Sequence, residues 1–346
     1  MDDHPPATLS YPFQDPPEPG AAVEVAPGIL WLRFPLPMAL DHVNVYALDD
    51  GDGWTVVDTG IQSRRSREIW GTALQGPLAG KPVHRALVTH HHPDHIGLAG
   101  WLQTDHGVEL VTTRTAWLFA RMLQLDEQDR PSAETVAFWR GAGMDAALLD
   151  RRMTERPFNF ADTVAPLPLG FTRIQKGQTV KAGGRDWTVR IGNGHAPEHA
   201  TLWSDDIVIG GDQLLPSISP NLGVYATEPL ADPVADWLDS CTRLSAFATA
   251  DQLVLPGHKL PFRGLPTRLT QLIDNHHGAL QRLQSALATP HTAAECFQML
   301  FMRQIGEGEY GLALVEAMAH VLHLWHAGRV TRRLGDDGAW LWQAKD

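Results

Sequence analysis

The sequence predicts an α+β fold: two strand-rich halves of a sandwich, a helical insertion between them, and a C-terminal module of helices closed by a hairpin. Three observations predict it. Short β-forming runs crowd residues 22–60 and return over residues 180–209. Helix-formers with large apolar side chains fill residues 112–157. After Leu265 helical patterning continues almost to the end of the chain, where two short strands flank Gly-Asp-Asp-Gly. At 346 residues the chain exceeds the usual single-domain size, so more than one domain is expected.

Residues 1–20, rich in proline and acidic groups, read as an extended N-terminal arm. The run from Gly28 alternates β-formers, and the strand Val43-Asn-Val-Tyr-Ala-Leu meets a turn at Asp49-Asp-Gly-Asp-Gly. Trp54-Thr-Val-Val is a short buried strand ending at Asp58 and Gly60. Residues 62–76 read as helix, residues 84–89 as strand, and residues 96–106 carry apolar groups at helical spacing. The 112–157 stretch, with Trp117, Phe119, Met122, Phe138 and Trp139, is too long for a connection and reads as an inserted helical lid. Strands resume at Val180, 187–191, 201–203 and 207–209, followed by a helix over 233–245 and a buried strand from Leu253. A main domain over 21–264 is therefore expected, with a module over 265–346. Its helices near 265–288, 292–302 and 310–327 plus a hairpin have the layout of a winged helix.

Apolar residues make up 43% and charged residues 20%, as in an ordinary globular protein. The formal net charge of −12 disfavours nucleic-acid backbones and anionic membranes; a basic run stands at Arg329, Arg332 and Arg333. Cys241 and Cys296 sit in apolar helical contexts and read as small core residues. The N-terminus has neither a basic segment nor an apolar run, so no signal peptide is expected, and no run reaches membrane-spanning length. A cytoplasmic location is the default expectation. The apolar residues of 310–327, including Leu312, Leu314, Met318, Val321 and Trp325, suggest a homodimer through the C-terminal helices.

The chemistry concentrates in Val88-Thr-His-His-His-Pro-Asp-His-Ile-Gly. His90, His92, Asp94 and His95 are imidazole and carboxylate groups of the kind that hold borderline divalent metals, and four within six positions can serve two ions. His90 and His92, two apart in an extended segment, point the same way, and Pro93 then ends the strand. Further candidates stand at later strand ends: His195 and His199 in Asn-Gly-His-Ala-Pro-Glu-His, Asp212 in Gly-Gly-Asp, and His258 in Pro-Gly-His.

The H-x-H-x-D-H pattern resembles the signature of the metallo-β-lactamase-fold hydrolases. That resemblance implies a four-layer αβ/βα sandwich. It also implies His90, His92 and His195 on one ion, Asp94, His95 and His258 on a second, and Asp212 between them. Asp58 resembles the family's aspartate that hydrogen-bonds a ligand histidine, and His199 is expected beside the ligands rather than on a metal. The cofactors implied are two divalent ions, zinc first, with iron or manganese also compatible. They would share a hydroxide, with Asp94 passing its proton to the leaving group.

The layout is most similar to the branch with a C-terminal winged-helix-like module, which includes endoribonuclease-like members and bacterial hydrolases of unassigned substrate. Asp212 argues against a dedicated β-lactamase, and His92 against the diiron flavoprotein branch. Leu215 stands where acyl-homoserine lactonases place a tyrosine; Tyr225 could supply a substrate-binding hydroxyl instead. The leading expectation is hydrolysis of a small ester, thioester or lactone with an apolar portion held under the 112–157 insert. A phosphodiesterase or endoribonuclease is the first alternative, and a non-catalytic metal-containing binding protein the second.

Overall fold

A computed structural model describes residues 8–345; residues 1–7, the start of the expected arm, lie outside the described residues. In chain order the strands and helices are β1 (Val23–Ala26), β2 (Ile29–Pro35), β3 (His42–Asp49), β4 (Trp54–Val57), α1 (Arg64–Gln75), β5 (Val83–Leu87), α2 (Pro93–Ile96), α3 (Ala99–His106), β6 (Glu109–Thr112) and α4 (Arg114–Leu125). Then follow α5 (Ala133–Gly141), α6 (Ala146–Arg152), β7 (Thr172–Arg173), β8 (Thr179–Ala182), β9 (Arg185–Gly192), β10 (His199–Trp203), β11 (Ile207–Gly211) and α7 (Pro233–Ser245). The chain ends with β12 (Leu253–Pro256), α8 (Leu265–Ala286), α9 (Phe297–Phe301), α10 (Tyr310–His326), β13 (Val330–Leu334) and β14 (Trp340–Ala344).

Contacts divide the chain into two units. Among the described residues the first comprises 8–127, 159–220 and 244–269. The second comprises 128–158, 221–243 and 270–345.

The first unit contains two sheets. One has the order β1-β2-β3-β4-β5-β6-β7, the other β12-β11-β10-β9-β8. The first sheet is an antiparallel meander up to β4 and parallel from β4 to β7. In the second sheet only β11 and β12 are parallel. Parallel neighbours need crossover connections, and α1 and α3 provide them on the first sheet. Ser63 caps α1 by accepting from Ser66 N–H, which places the helix start two residues inside the expected span.

The two sheets bury their inner faces against each other. Trp31, Tyr46, Leu48, Val57 and Leu87 from the first interleave with Trp187, Val189, Leu202, Ile209 and Leu255 from the second. The outer face of the first sheet, with Val43, Val45 and Val56, is covered by Ile69, Trp70, Ala73, Leu98 and Leu102 of the helices. β4 is therefore buried on both faces, as its unbroken apolar run required.

The strand leading to the histidine motif ends at Leu87, two residues before the expected Thr89. The physical reason is a change of partner: Val88 N–H still reaches Val111 C=O, but Thr89 N–H donates to the Asp58 carboxylate at 2.8 Å. Pro93 lies six residues past that strand end and is not what stops the strand. It occupies the first turn of α2, where its missing N–H costs nothing, so Asp94 and His95 stand on a helical turn.

The 112–157 stretch is not one body. In the first unit, α4 is capped by Thr113 and sets Ala120, Trp117 and Leu123 against Val88, Ile96 and Phe160, directly behind the histidine motif. α5 and α6 belong to the second unit.

In the second unit the hairpin β13–β14 pairs from Val330↔Ala344 to Leu334↔Trp340. Arg332 packs on an indole of α10 and one of the hairpin, with the guanidinium 4.4 Å from the Trp325 ring and 4.5 Å from the Trp340 ring. Leu314, Val315, Met318, Val321, Leu322 and Leu324 of α10 are buried within the chain itself, and Leu312 alone of the apolar residues named for dimerisation is largely exposed. Most of the apolar stripe of α10 is thus buried within this chain. Both cysteines are buried and neither forms a disulfide; Cys296 Sγ donates to Thr292 C=O, and burial pushes its thiol pKa up to about 12. No helix among the described residues is long and apolar enough to cross a membrane.

Candidate metal centre

Every group in the cluster follows the carboxyl end of a strand of the first unit. Asp58 follows β4, the histidine motif β5, His195 β9, Asp212 β11 and His258 β12. Carboxyl ends of strands leave backbone geometry free to aim side chains into a shared crevice, where ligands of α/β sheets commonly bind.

Two three-residue groups of ligand atoms result, His90/His92/His195 and Asp94/His95/His258, and a third, His90/His95/Asp212, lies between them. In the first group His90 Nε2 is 3.1 Å from His92 Nδ1, which is 2.9 Å from His195 Nε2. In the second, Asp94 Oδ2 is 3.5 Å from His95 Nε2 and 3.3 Å from His258 Nε2. Asp212 reaches both: its Oδ1 is 3.4 Å from His95 Nε2, and its Oδ2 is 3.4 Å from His195 Nε2 and 3.2 Å from His258 Nε2. Gly257 permits this closeness, because a Cβ there would lie 2.2 Å from Asp212 Oδ1.

The far ring nitrogens determine which nitrogen is offered to the centre. His95 Nδ1–H donates to Asp58 Oδ2 at 2.8 Å. Thr89 Oγ1 gives its single proton to Asp58, so at 3.0 Å it accepts from His90 Nδ1–H. His258 Nδ1–H donates to the His42 carbonyl at 2.6 Å. Asp58 therefore orients one histidine of each group, the first through Thr89. It does so at φ +63°, a conformation that Asp tolerates better than most residues.

His199 is fully buried and stacks on His90 with centroids 4.5 Å apart. Its Nε2 accepts from Asp212 N–H, so it anchors the backbone of the central carboxylate. Tyr225 belongs to the second unit and is half exposed.

Burial, reinforced by neighbouring imidazoles, holds His90 and His92 well below the ordinary histidine range, so both are neutral and can offer lone pairs. Burial acts on His95 and His258 in the same direction, but carboxylates outweigh it. Asp212, Asp94 and Asp58 raise His95 well above its usual value, and Asp212 with Asp94 pushes His258 up to about 10. For Asp212, burial is overcome by His258 and His95, which hold the carboxyl well below the usual range.

The pocket thus draws in positive charge. A divalent cation would supply that charge. Two buried atoms, His95 Nε2 and Asp212 Oδ1, have no hydrogen-bond partner. Orphaned buried nitrogen and oxygen donors facing each other, amid imidazoles and carboxylates, fit borderline divalent ions.

Motif reading missed His42, Asn44 and Tyr46 of β3, which hold the segment carrying His258. The available signal was their polar alternation with the valines and alanine between and after them.

Comparison with known proteins gives the same assignment. Residues 38–281 match the metallo-β-lactamase superfamily, and residues 280–345 match a metallo-β-lactamase-like C-terminal domain. The "Probable metallo-hydrolase YqjP" of Bacillus subtilis is 26% identical over 305 residues, covering 85% of this chain and 91% of the relative. The crystal structure of a β-lactamase domain protein from Burkholderia ambifaria superposes with a TM-score of 0.89 at 39% identity, covering 97% of this chain and 98% of the other. A metallo-β-lactamase family protein from Thermus thermophilus gives 0.77 at 26% identity, with 93% and 100% covered. A fold of two facing sheets, with its polar cluster at the strand ends and matches along nearly the whole chain, places this protein in the metallo-β-lactamase superfamily.

Proposed function

We propose that the protein is a dinuclear metal-dependent hydrolase of a small ester, thioester or lactone with an apolar portion. His90, His92 and His195 would hold one cation and Asp94, His95 and His258 the other, with Asp212 placed within reach of both groups. The observation that carries this reading is the position of Asp212, whose two oxygens approach members of both groups within 3.4 Å. Divalent ions bound there, zinc first among those the donor set suits, supply Lewis acidity that activates water and polarises a substrate oxygen.

The chain's own groups do the rest. Asp94 is ionised, because His95 and His258 outweigh the effect of burial on its carboxyl. Its Oδ2 faces those two histidines, leaving Oδ1 to accept a proton from the attacking water and deliver it to the leaving group. Phe119 of α4 rests on His91 with centroids 5.3 Å apart, and Leu118 and Met122 of the same helix are exposed. An apolar helix face next to the histidine motif favours a substrate with an apolar portion over one recognised by charge alone. With a formal net charge of −12, nothing comparable favours a phosphodiester backbone.

The test is turnover by the zinc-loaded protein on short- and medium-chain thioesters, esters and lactones. Rates above those of free zinc are expected on at least one class; absence of turnover on all of them would remove the substrate assignment.

A further inference from the structure

β3 is buried along almost its whole length, yet His42, Asn44 and Tyr46 lie at alternate positions within it. Polar groups so placed destabilise a strand unless each finds a partner. Here the partners come mainly from one segment, residues 256–259, which carries His258. Tyr46 Oη–H donates to Pro256 C=O at 2.9 Å. Asn44 Nδ2 donates to Pro256 C=O and to Lys259 C=O, both at 2.9 Å, and Asn44 N–H donates to Gly257 C=O at 2.7 Å. Asn44 Oδ1 accepts from Trp31 Nε1–H, which fixes the orientation of the amide.

His42 Nε2 accepts from Lys259 N–H at 2.8 Å, so its proton sits on Nδ1, 2.6 Å from Asp41 Oδ1. Its carbonyl takes the His258 Nδ1 proton. The segment needs such support: Lys259 has φ +69°, a conformation that a non-glycine residue keeps only when its surroundings over-determine it.

We propose that His42, Asn44 and Tyr46 are positioning residues for His258, setting its placement and its tautomer. They thereby set the cation affinity of the Asp94/His95/His258 position without comparable effect on the His90/His92/His195 position. The histidines of that other position are held by different groups, His90 through Thr89 and Asp58. This inference rests on the two-cation reading above.

Competition titration of the chelator-stripped protein with Zn2+ against a chromophoric chelator resolves the affinities, and the visible spectrum of the Co2+ form reports the ligand field. His42→Ala is expected to weaken one of two affinities about 10–100-fold and leave the other within about twofold. It should also alter the Co2+ spectrum at one equivalent only. His42→Gln, whose amide oxygen can accept the Lys259 N–H, should restore most of the loss. Tyr46→Phe removes a single hydroxyl and should weaken the same ion less; it carries the test if His42→Ala does not fold. Folded variants in which both affinities are unchanged, or fall equally, overturn the proposal alone. A wild-type chain that takes up a single ion overturns the two-cation reading as well.

Discussion

Asp58→Asn tests the network beneath the centre with minimal change of shape. Asparagine tolerates the left-handed backbone at φ +63°, so the strand end is preserved. The carboxylate now accepts from Thr89 N–H, Thr89 Oγ1–H and His95 Nδ1–H, at 2.8–3.0 Å. An asparagine oxygen can keep the Thr89 side, but its NH2 group then faces His95 Nδ1. Two donors cannot share that contact, so the imidazole proton must move to Nε2, the atom 3.4 Å from Asp212 and 3.5 Å from Asp94. A protonated Nε2 cannot ligate. Losing one charge-assisted hydrogen bond is worth about 1.5–3 kcal/mol. At about 1.4 kcal/mol per decade, that weakens cation binding about 10–100-fold at the Asp94/His95/His258 position. Isothermal titration of the stripped variant with Zn2+ measures it directly. A folded Asp58→Asn protein with two wild-type affinities would refute the argument that Asp58 sets the His95 tautomer.

Other outcomes follow from the same geometry. Gly257→Ala places a methyl carbon 2.2 Å from Asp212 Oδ1 and 2.9 Å from His95 Cε1, and should cost about 1–3 kcal/mol of stability together with loss of bound zinc, read by thermal denaturation and metal analysis. Chelation should lower the melting temperature: at ligand concentrations a thousandfold above Kd the ions contribute about 4 kcal/mol, and an unchanged melting curve would show that the folded state holds none. In the second unit, burial holds His276 at about 3 and His320 at about 4, both below the ordinary value of 6.5. The unfolded chain therefore binds more protons between those values, so stability is lost as pH falls from about 6.5. Each such ring contributes up to about 1.4 kcal/mol per pH unit, and His276→Leu should flatten the stability profile of the stripped protein between pH 6 and 4 by that amount.

The elements were legible in the sequence because their signals are local. Alternating β-formers located β2 and β3, the turn at Asp49-Asp-Gly-Asp-Gly separated β3 from β4, and helical spacing located α1 and α10. The strand before the motif was overextended by two residues because the Asp58 carboxylate takes the Thr89 N–H, a competition that no local propensity encodes.

By itself the sequence determined which residues could ligate and that they follow strand ends, since four of them fall within six positions and the rest follow apolar runs. Only the tertiary structure decided that Asp212 reaches both groups, that Asp58 orients a histidine in each, and that Asn44 holds the segment carrying His258 across a separation of 212 positions. It also decided that the 112–157 stretch is divided between two units and that most of the apolar stripe of α10 is buried within the chain. The reason is one of range: backbone propensity acts over a few residues, whereas which buried donor meets which acceptor is settled only when distant strands close on each other.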